Sequence, residues 1–423
     1  MPRPFRFGAC IKGIQYIGGL IMELKEIIEL DKKYYMNTFG DRTPVCFRYG
    51  RGMYLWDTEG KKYCDFLAGI AVNALGHSHP KLVQAIKEQA EKLIHCSSLY
   101  YIENQAKLAK VLVENSCADR VFFANSGAEA NEGAIKLARI YFKKLGTPRK
   151  YEVITLEKSF HGRTLATLAA TGQEKYHESY SPLTPKFLSV PVNNLEALES
   201  AINDSTCALM LEPIQGESGV NMISSEYIKG VRKLCDEKGV LLIFDEVQTG
   251  LGRTGKLFGY QHSGVEPDIF TLAKGLGGGF PIGALCAKEF VARAFEPGDH
   301  GSTFGGNPLA CAAGLAVMDV MLNGGLAENA AKMGEYLIGR LSGLARKHGC
   351  VSEVRGMGLM VGIQLSIGKA KEIKDMCFKK GFLVGNVGNN IIRLLPPLIV
   401  TREDIDGMIE VLDGVIDEIE SKG

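Results

Sequence analysis

Residues 240–247 read VLLIFDEV, and residues 270–284 read FTLAKGLGGGFPIGA. Each stretch begins with an apolar run of strand length. Similar runs (VFFAN, YEVITLE, ALMLEPI, GALCA) alternate with helical stretches or long loops between about Arg120 and Ala310. Apolar strands that alternate with helices predict a largely parallel sheet buried on both faces. The expected fold class is therefore α/β, with a large domain built on this sheet.

The two opening stretches place a carboxylate and a lysine at the ends of two strands. Asp245 ends the first strand, and Lys274 leads from the second into a glycine-rich turn. A lysine in dry surroundings beside a carboxylate suits an electron-sink cofactor such as pyridoxal phosphate. The lysine carries this cofactor as a Schiff base, and the carboxylate pairs with the ring nitrogen. Taken alone, Lys274 does not establish a cofactor site, because most lysines beside glycines are solvated loop residues.

Composition limits the classes of function. The 423 residues carry 49 basic and 48 acidic side chains, so no basic excess is present to bind nucleic acid. Eleven cysteines without a CxxC pair favour reduced thiols in a cytoplasmic enzyme over a disulfide framework. The basic and mildly apolar residues 1–21 are interrupted by glycine and charge, which makes them a poor membrane span or secretory signal.

The length of the chain predicts two domains with flanking segments. Residues 1–21 are expected to be an N-terminal extension, either disordered or a non-native start upstream of Met22. Residues 22–75 are expected to pack with the small domain, and residues 76–310 to form the large domain that binds the cofactor. Residues 311–423 are expected to form a smaller α+β domain.

RVFFANSGAEANEGAIKLARIYF, residues 120–142, predicts a strand, a tight turn and a helix. Ser126 and Glu129 have the spacing of a capping box, which defines the start of the helix. The N–H groups of Gly127 and Ala128 then lie at the positive end of the helix dipole, where they can bind an anion. The alternative is an ordinary capped helix.

GLGRTGK, residues 250–256, gives the competing interpretation from a different class, a P-loop NTPase. It fits GxGxxG and nearly fits GxxxxGK[ST]. Leu257, however, stands where the magnesium-binding Ser or Thr should be, and the glycine loop follows the carboxylate strand instead of preceding it. A dinucleotide site is also disfavoured, because no helix-forming apolar run follows Gly255.

Two shorter motifs each have a functional and a structural interpretation. His77 and His79 form an HxH pair without further ligands nearby, so a turn before Pro80 is favoured and no metal site is expected. In SFHGRT, Phe160 can cover a flat ring and Arg163 can clamp a carboxylate. Both could equally be packed loop residues.

Together these stretches resemble the class III pyridoxal-phosphate aminotransferases, which have the aspartate aminotransferase fold (fold type I). The resemblance covers the chain from about Met36 to Glu418 and leaves out the first 21 residues. It rests on eight runs in the family's order: GIAVNALGHSHP, FFANSGAEAN, SFHGRTLATLAATGQ, LEPIQGESG, FDEVQTGLGRTGKLF, AKGLGGGFPIGA, GDHGSTFGGNPLA and IRLLPPL.

The resemblance implies how the cofactor would be held. Lys274 would bind pyridoxal 5'-phosphate covalently and shuttle protons, and Asp245 would keep the ring nitrogen protonated. Thr303 would complete the phosphate site from a neighbouring subunit, which implies a homodimer with active sites at the interface. The remaining implied cofactor residues are Gly127 and Ala128 for the phosphate, Phe160 and Val247 for the ring faces, Gln248 for the phenolic oxygen, and Glu246.

The resemblance also implies how the substrates would bind. Arg163 and Ser302 would bind the carboxylate end of N2-acetyl-L-ornithine. Glu217 would neutralise Arg393 while this amine donor is bound and would release it for the α-carboxylate of 2-oxoglutarate. The implied reaction moves the terminal amine to 2-oxoglutarate and gives N-acetyl-L-glutamate 5-semialdehyde and L-glutamate, as in arginine biosynthesis.

Several donors stay open within the family. Ornithine aminotransferases resemble the chain nearly as well, and their pocket tyrosine, which contacts a free α-amino group, falls at Ile70. An apolar residue suits an acylated amine better than a charged one, which favours acetylornithine. Ornithine, succinyl-diaminopimelate and 4-aminobutyrate are the alternative donors, and an intramolecular aminomutase is the alternative reaction.

Overall fold

The computed structural model describes residues 22–421, so the predictions made for residues 1–21 lie outside the described residues. The described chain separates into two compact units. One contains residues 22–49 and 56–62, and the other contains residues 50–55 and 63–421. The first unit includes an N-terminal helix whose capping box joins Glu23 and Glu26.

The helices and strands are numbered in chain order. The helices are α1 (Leu24–Tyr34), α2 (Ala68–Ala71), α3 (Pro80–Lys92), α4 (Glu103–Glu114), α5 (Gly127–Lys144), α6 (Leu165–Ala170), α7 (Leu195–Ala201), α8 (Ser225–Lys238), α9 (Glu289–Ala292), α10 (Pro308–Asn323), α11 (Leu326–Lys347), α12 (Ala370–Lys379) and α13 (Arg402–Glu420). The strands are β1 (Phe47–Arg51), β2 (Tyr54–Asp57), β3 (Lys62–Asp65), β4 (Arg120–Ala124), β5 (Glu152–Leu156), β6 (Phe187–Val190), β7 (Thr206–Leu211), β8 (Ile214–Gln215), β9 (Asn221–Met222), β10 (Leu241–Asp245), β11 (Ile269–Leu272), β12 (Gly283–Ala287), β13 (Val351–Met357), β14 (Met360–Leu365), β15 (Phe382–Leu383), β16 (Gly385–Val387) and β17 (Ile391–Leu394).

A seven-stranded sheet in the second unit confirms the predicted α/β class. Its order is β4-β12-β11-β10-β7-β5-β6, and only β12 runs antiparallel to its neighbours. Leu242 and Phe244 of β10 belong to one hydrophobic cluster, whereas Leu241 and Ile243 belong to another. Because successive side chains of a strand point to opposite faces, both faces of the sheet are buried, as the apolar runs predicted.

The C-terminal part of the chain forms a second, antiparallel sheet with the order β13-β14-β17-β16. Helices α11, α12 and α13 alternate with these strands in the sequence, which gives the expected mixture of helix and strand. The predicted boundary at residues 310 and 311 falls inside α10. The division of the chain into a large and a small domain stays a prediction.

The segment Ala68–Ala71 is a left-handed turn with φ values of 51°, 63°, 64° and 64°. Left-handed backbone costs about 1–2 kcal/mol for each residue with a side chain, so this turn must be held by its surroundings. Asp65 Oδ1 accepts hydrogen bonds from the N–H groups of Leu67 (2.8 Å) and Ala68 (2.9 Å). Asp65 Oδ2 lies 2.8 Å from His77 Nε2, so this histidine of the HxH pair holds the turn.

No single helix among the described residues is long and apolar enough to cross a membrane, although α10 and α11, bent by 64°, pass that test as a pair.

A buried imidazole ties the end of α11 to α13. His348 is 1% exposed, and its Nε2 and Nδ1 lie 2.6 Å from Asp413 Oδ1 and 3.0 Å from Glu420 Oε2. Lys347 Nζ donates to Asp413 and Asp417, so it shares the negative charge of the cluster. Burial opposes the protonation of His348, but the surrounding carboxylates outweigh it and raise the pKa of His348.

The raised pKa predicts a pH-dependent contribution of His348 to stability. The contribution should be complete below the pKa of an unfolded histidine, about 6.5, and should be lost as the pH rises through the higher pKa of the folded state. We expect the difference in free energy of unfolding between the wild type and His348→Gln to shrink from pH 5.5 to pH 9 in urea titrations. Burial lowers the pKa of His262, so His262→Gln should show the opposite slope. If the difference in free energy of unfolding between the wild type and His348→Gln is constant, or grows with pH, the stabilising contact of protonated His348 with Asp413 and Glu420 is contradicted.

Candidate active site

A cavity of about 440 Å³ opens where the central strands of the large sheet end. Asp245 ends β10 and is paired in register with Thr271 of the parallel strand β11, three residues before Lys274. Glu212 follows β7, and Gly127 begins α5 directly after the turn that follows β4. The carboxyl ends of parallel strands therefore bring these four residues to one cavity, the usual place for a ligand site in an open α/β sheet.

Lys274 lies in the cavity as predicted. Its side chain is 21% exposed, and its Nζ lies 3.7 Å from Glu217 Oε1. Its φ of 39° belongs to the sparsely populated left-handed region, at the start of a tight 3₁₀ turn over Lys274–Gly277. Burial lowers the pKa of Lys274, and the charge of Glu217 opposes this effect. The arrangement favours a neutral and hence nucleophilic amine more than an exposed lysine would.

Asp245 is held by residues to which the sequence analysis gave no role. Asn131 Nδ2 donates to Asp245 Oδ2 at 2.7 Å, and His161 Nδ1 lies 2.8 Å from the same oxygen. Asn131 is in turn oriented by the hydroxyl of Thr271, which donates to its Oδ1 at 2.6 Å. Among residues 22–421, no Lys or Arg forms an ion pair with Asp245, which is 3% exposed. Its charge is thus available to a cationic group bound in the cavity.

The start of α5 has the geometry of an anion site. Gly127 and Ala128 line the cavity, and the first N–H groups of a helix have no partner within it. A Cβ atom on Gly127 would come within 2.8 Å of Val247 Cγ1, so no larger residue fits there without displacing Val247. One of the two hydrogen bonds of the predicted capping box is present, because Ser126 Oγ accepts from Glu129 N–H. The other is wrong, because the Glu129 carboxylate accepts from Asn125 N–H and not from Ser126 N–H.

Phe160, Val247 and Arg163 also line the cavity. Phe160 and Val247 offer apolar surface of the kind that packs on a flat ring. The exposed guanidinium of Arg163 stacks 4.0 Å from the centre of the Tyr176 ring and 5.7 Å from that of Phe160. Its position at the cavity, rather than in a packed loop interior, leaves it accessible to a ligand carboxylate.

Glu217 contacts both Arg393, its partner in the predicted switch pair, and Lys274. Its Oε1 lies 3.0 Å from Arg393 Nη1 and accepts from Gln248 Nε2 at 2.9 Å. Burial opposes ionisation of Glu217, but Lys274 and Arg393 outweigh it and lower the pKa of Glu217 to about 2. Arg393 is 5% exposed, and its Nε has no hydrogen-bond partner among the described residues. It is therefore a buried cation with a free donor, neutralised by one carboxylate.

Four residues predicted for the site do not line this cavity, and one of them, Arg393, is connected to it through its contact with Glu217. Glu246 is fully buried and accepts from Thr249 Oγ1 and from the N–H groups of Gly259 and Tyr260, so it holds the loop after β10. Ser302 and Thr303 line a separate cavity of about 390 Å³ with His95, Ser97, Ser98 and Gly301.

The glycine-rich loop of the competing P-loop interpretation is built around a buried arginine. Arg253 is 2% exposed, and its Nη1 donates to the carbonyls of Leu359 (2.9 Å) and Pro396 (2.6 Å). The loop leads to a short 3₁₀ turn, Gly259–His262, and not to the long helix that carries the phosphates in a P-loop protein. Its role is structural: it anchors the loop after Asp245 to the C-terminal part of the chain.

These features define an α/β enzyme site with a partly buried lysine, a buried carboxylate and a helix start that lines the cavity. The family model described as aminotransferase class-III matches residues 35–416, and the chain belongs to that family. Membership of this family confirms the predicted resemblance and excludes the P-loop alternative. Class III aminotransferases are pyridoxal-phosphate enzymes.

Two acetylornithine aminotransferases and one ornithine aminotransferase are similar to this chain over most of its length. The acetylornithine aminotransferase of Caldanaerobacter subterraneus subsp. tengcongensis is 56% identical over 93% of this chain and 100% of its own. The crystal structure of acetylornithine aminotransferase from Elizabethkingia anophelis has a TM-score of 0.84 and 35% identity over 94% of this chain and 100% of that one. A structure of the ornithine aminotransferase from Toxoplasma gondii, described with partial occupancy of PLP at its active site, has a TM-score of 0.90 and 32% identity over 94% and 95%.

The buried switch pair should be energetically coupled. We expect a double-mutant cycle of Glu217→Gln and Arg393→Met, followed by urea unfolding of the cofactor-free protein, to give a coupling energy of at least about 1 kcal/mol, because Glu217→Gln leaves the buried charge of Arg393 without its carboxylate. The exposed pair Lys110–Glu114, 3.6 Å apart, serves as the control and should give about 0.5 kcal/mol or less. Equal coupling in the two cycles would mean that the Glu217–Arg393 contact is not a strong one.

Proposed function

We propose that this protein binds pyridoxal 5'-phosphate and transfers the terminal amine of N2-acetyl-L-ornithine to 2-oxoglutarate, giving N-acetyl-L-glutamate 5-semialdehyde and L-glutamate. The observation that carries the proposal is the cavity lined by Lys274, Asp245 and Glu217, with Arg393 held against Glu217 at 3.0 Å. The names of its acetylornithine aminotransferase relatives support the choice of donor.

The residues of the cavity fit this cofactor. Asp245 offers a buried carboxylate, without a Lys or Arg partner among the described residues, to the protonated ring nitrogen, and the start of α5 offers N–H groups to the phosphate. Phe160 and Val247 would cover the two ring faces. The Oε1 of Gln248, buried without a partner among the described residues, would accept a hydrogen bond from the phenolic oxygen. Glu246 would contribute indirectly, by fixing the loop that carries Val247 and Gln248.

When bound, pyridoxal phosphate supplies an electron sink that makes the C–H bond beside the donor nitrogen acidic. Lys274 is the base that can take up this proton and deliver it elsewhere, since burial favours the neutral form of its amine. Asn131 and the backbone N–H of Val247 donate to the two oxygens of Asp245 and would so orient its carboxylate beside the ring nitrogen. The same cavity walls exclude water from the reacting atoms.

Two substrates with different charge must use one cavity in turn. Arg163 would bind the carboxylate end of acetylornithine together with Ser302, while Glu217 cancels the charge of Arg393 beside the uncharged part of the donor. For 2-oxoglutarate, Glu217 would move aside, and Arg393 would bind the α-carboxylate. The unpartnered Nε of Arg393 supports this role, because it provides a donor that no described residue uses.

A homodimer would complete the site. Thr303 is exposed and lies away from the cavity of its own chain, which supports the proposal that it reaches the phosphate of a neighbouring subunit. Exposed apolar side chains that adjoin the lining residues of this second cavity support an interface on this surface: Leu99, after Ser98, is 86% exposed, Tyr100 is 69% exposed, and Phe304, after Thr303, is 59% exposed. The many free, mostly buried cysteines support a cytoplasmic location.

Steady-state kinetics with 2-oxoglutarate as acceptor test the choice of donor. We expect kcat/KM for acetylornithine to exceed that for ornithine by about tenfold or more, because a site suited to an acylated amine rejects a charged one. Succinyl-diaminopimelate and 4-aminobutyrate should also give lower kcat/KM values than acetylornithine. Turnover of acetylornithine without any keto acid would instead indicate an aminomutase.

A substitution at Ile70 tests whether this residue sets the choice of amine donor. Ile70 is 39% exposed, on the left-handed turn directly before the cavity residue Val72. Ile70→Tyr should move the ratio of kcat/KM values towards ornithine, whereas Leu322→Tyr, at a similarly exposed apolar position in α10, should leave it unchanged. A wild-type preference for free ornithine would refute both the donor and the role given to Ile70.

A further inference from the structure

Glu212 is a buried carboxyl group in the wall of the cavity. It directly follows β7 and is 5% exposed. Its Oε1 accepts a hydrogen bond from Phe160 N–H at 2.9 Å, and its Oε2 accepts one from Gly216 N–H at 3.2 Å. Within residues 22–421 it forms no ion pair. Burial, and then the charge of Asp245, hold the pKa of Glu212 well above its usual range, which favours the neutral acid.

The two backbone amides that Glu212 binds belong to two different parts of the proposed site. Phe160 is the aromatic residue proposed to cover the ring of the cofactor. Gly216 directly precedes Glu217, and the carbonyl of Gly216 accepts a hydrogen bond from Arg393 Nη1 at 2.8 Å. The same Arg393 nitrogen contacts the Glu217 carboxylate. One side chain therefore connects the wall of the cofactor site to the peptide that holds the substrate switch.

The chemistry of the side chain matches this position. Both oxygens of a carboxyl group can accept a hydrogen bond, because the hydroxyl oxygen of the neutral acid keeps a lone pair, whereas a glutamine of the same size has one accepting oxygen and an NH₂ group that only donates. Replacing Glu212 by glutamine would place an NH₂ group against one of the two buried N–H groups and leave that N–H unsatisfied. An apolar residue would leave both unsatisfied, which is costly in a buried site.

We propose that Glu212 is a positioning residue that couples the cofactor-covering loop at Phe160 to the substrate switch formed by Glu217 and Arg393. This inference rests on the proposed function, because the roles of Phe160 and of the switch come from it. Glu212 does not act on the reacting atoms. It fixes the distance between the two loops, so a movement of Glu217 when the acceptor binds Arg393 acts on the backbone at Phe160.

Two variants of the full-length protein test the coupling. We expect Glu212→Gln and Glu212→Ala to raise both the dissociation constant for pyridoxal phosphate, measured by absorbance without substrate, and KM for 2-oxoglutarate. Each should rise about tenfold, as for the loss of one buried hydrogen bond. KM for the amine donor should change less, since Arg163 and Ser302 would bind its carboxylate.

Asp268→Asn is the matched control. Asp268 is also a buried carboxylate that accepts a backbone N–H, from Leu242 at 2.8 Å, but it precedes β11 and so lies at the opposite end of the strand from the cavity. This variant should lower the melting temperature, because Arg232 loses one of its two ion pairs, and should leave the cofactor dissociation constant and both KM values unchanged. The proposal is overturned if the Glu212 variants lose only stability, as we expect for Asp268→Asn. It is also overturned if only one of the two constants rises, the dissociation constant for pyridoxal phosphate or KM for 2-oxoglutarate.

Hydrogen exchange in the unaltered protein provides a second test that does not depend on the variants folding. Glutarate, a dicarboxylate without a keto group, should bind at Arg393 and slow amide exchange in the peptide that contains Phe160. Exchange there that does not change when glutarate binds would overturn the coupling. Neither the cofactor dissociation constant nor the exchange rate depends on which amine donor is used, so failure of the donor assignment would be seen separately.

Discussion

The partial burial of Lys274 beside Glu217 is the constraint on which the rest of the site depends. A lysine at the end of a buried strand costs free energy unless its charge is lost or balanced. Glu217 supplies the balance at 3.7 Å and also neutralises Arg393 at 3.0 Å. One carboxylate thus serves two buried cations, so any ligand that pairs with one of them changes the charge around the other.

The sequence predicted the parts of the site that follow directly from strand ends. In a parallel sheet the carboxyl ends of neighbouring strands lie at one edge, so Asp245 and Lys274 could be placed together from their positions after apolar runs. The anion-binding start of α5 was predicted for the same local reason, because Ser126 caps the helix and Gly127 follows it. These features depend on short stretches of chain, and the structure contains all of them.

The sequence could not predict contacts between distant loops. Asn131 lies on α5 and binds Asp245, 114 positions away, and Glu212 joins Phe160 to Gly216 across two separate loops. Neither residue stands in a pattern that sets it apart from other buried polar residues. The capping box failed for a related reason: the Glu129 carboxylate had two backbone N–H groups within reach, and only the folded turn decided that it binds Asn125.

The most direct test of the site is to trap the bound cofactor. The purified protein is incubated with pyridoxal phosphate, reduced with borohydride and digested, and the modified peptide is located by mass spectrometry, with Lys274→Ala and the exposed-surface variant Lys229→Ala treated in parallel. We expect one reduced adduct on Lys274, present in the wild type and in Lys229→Ala and absent from Lys274→Ala. An adduct on another lysine, or none in the wild type, would contradict the assignment of Lys274 as the residue that holds the cofactor.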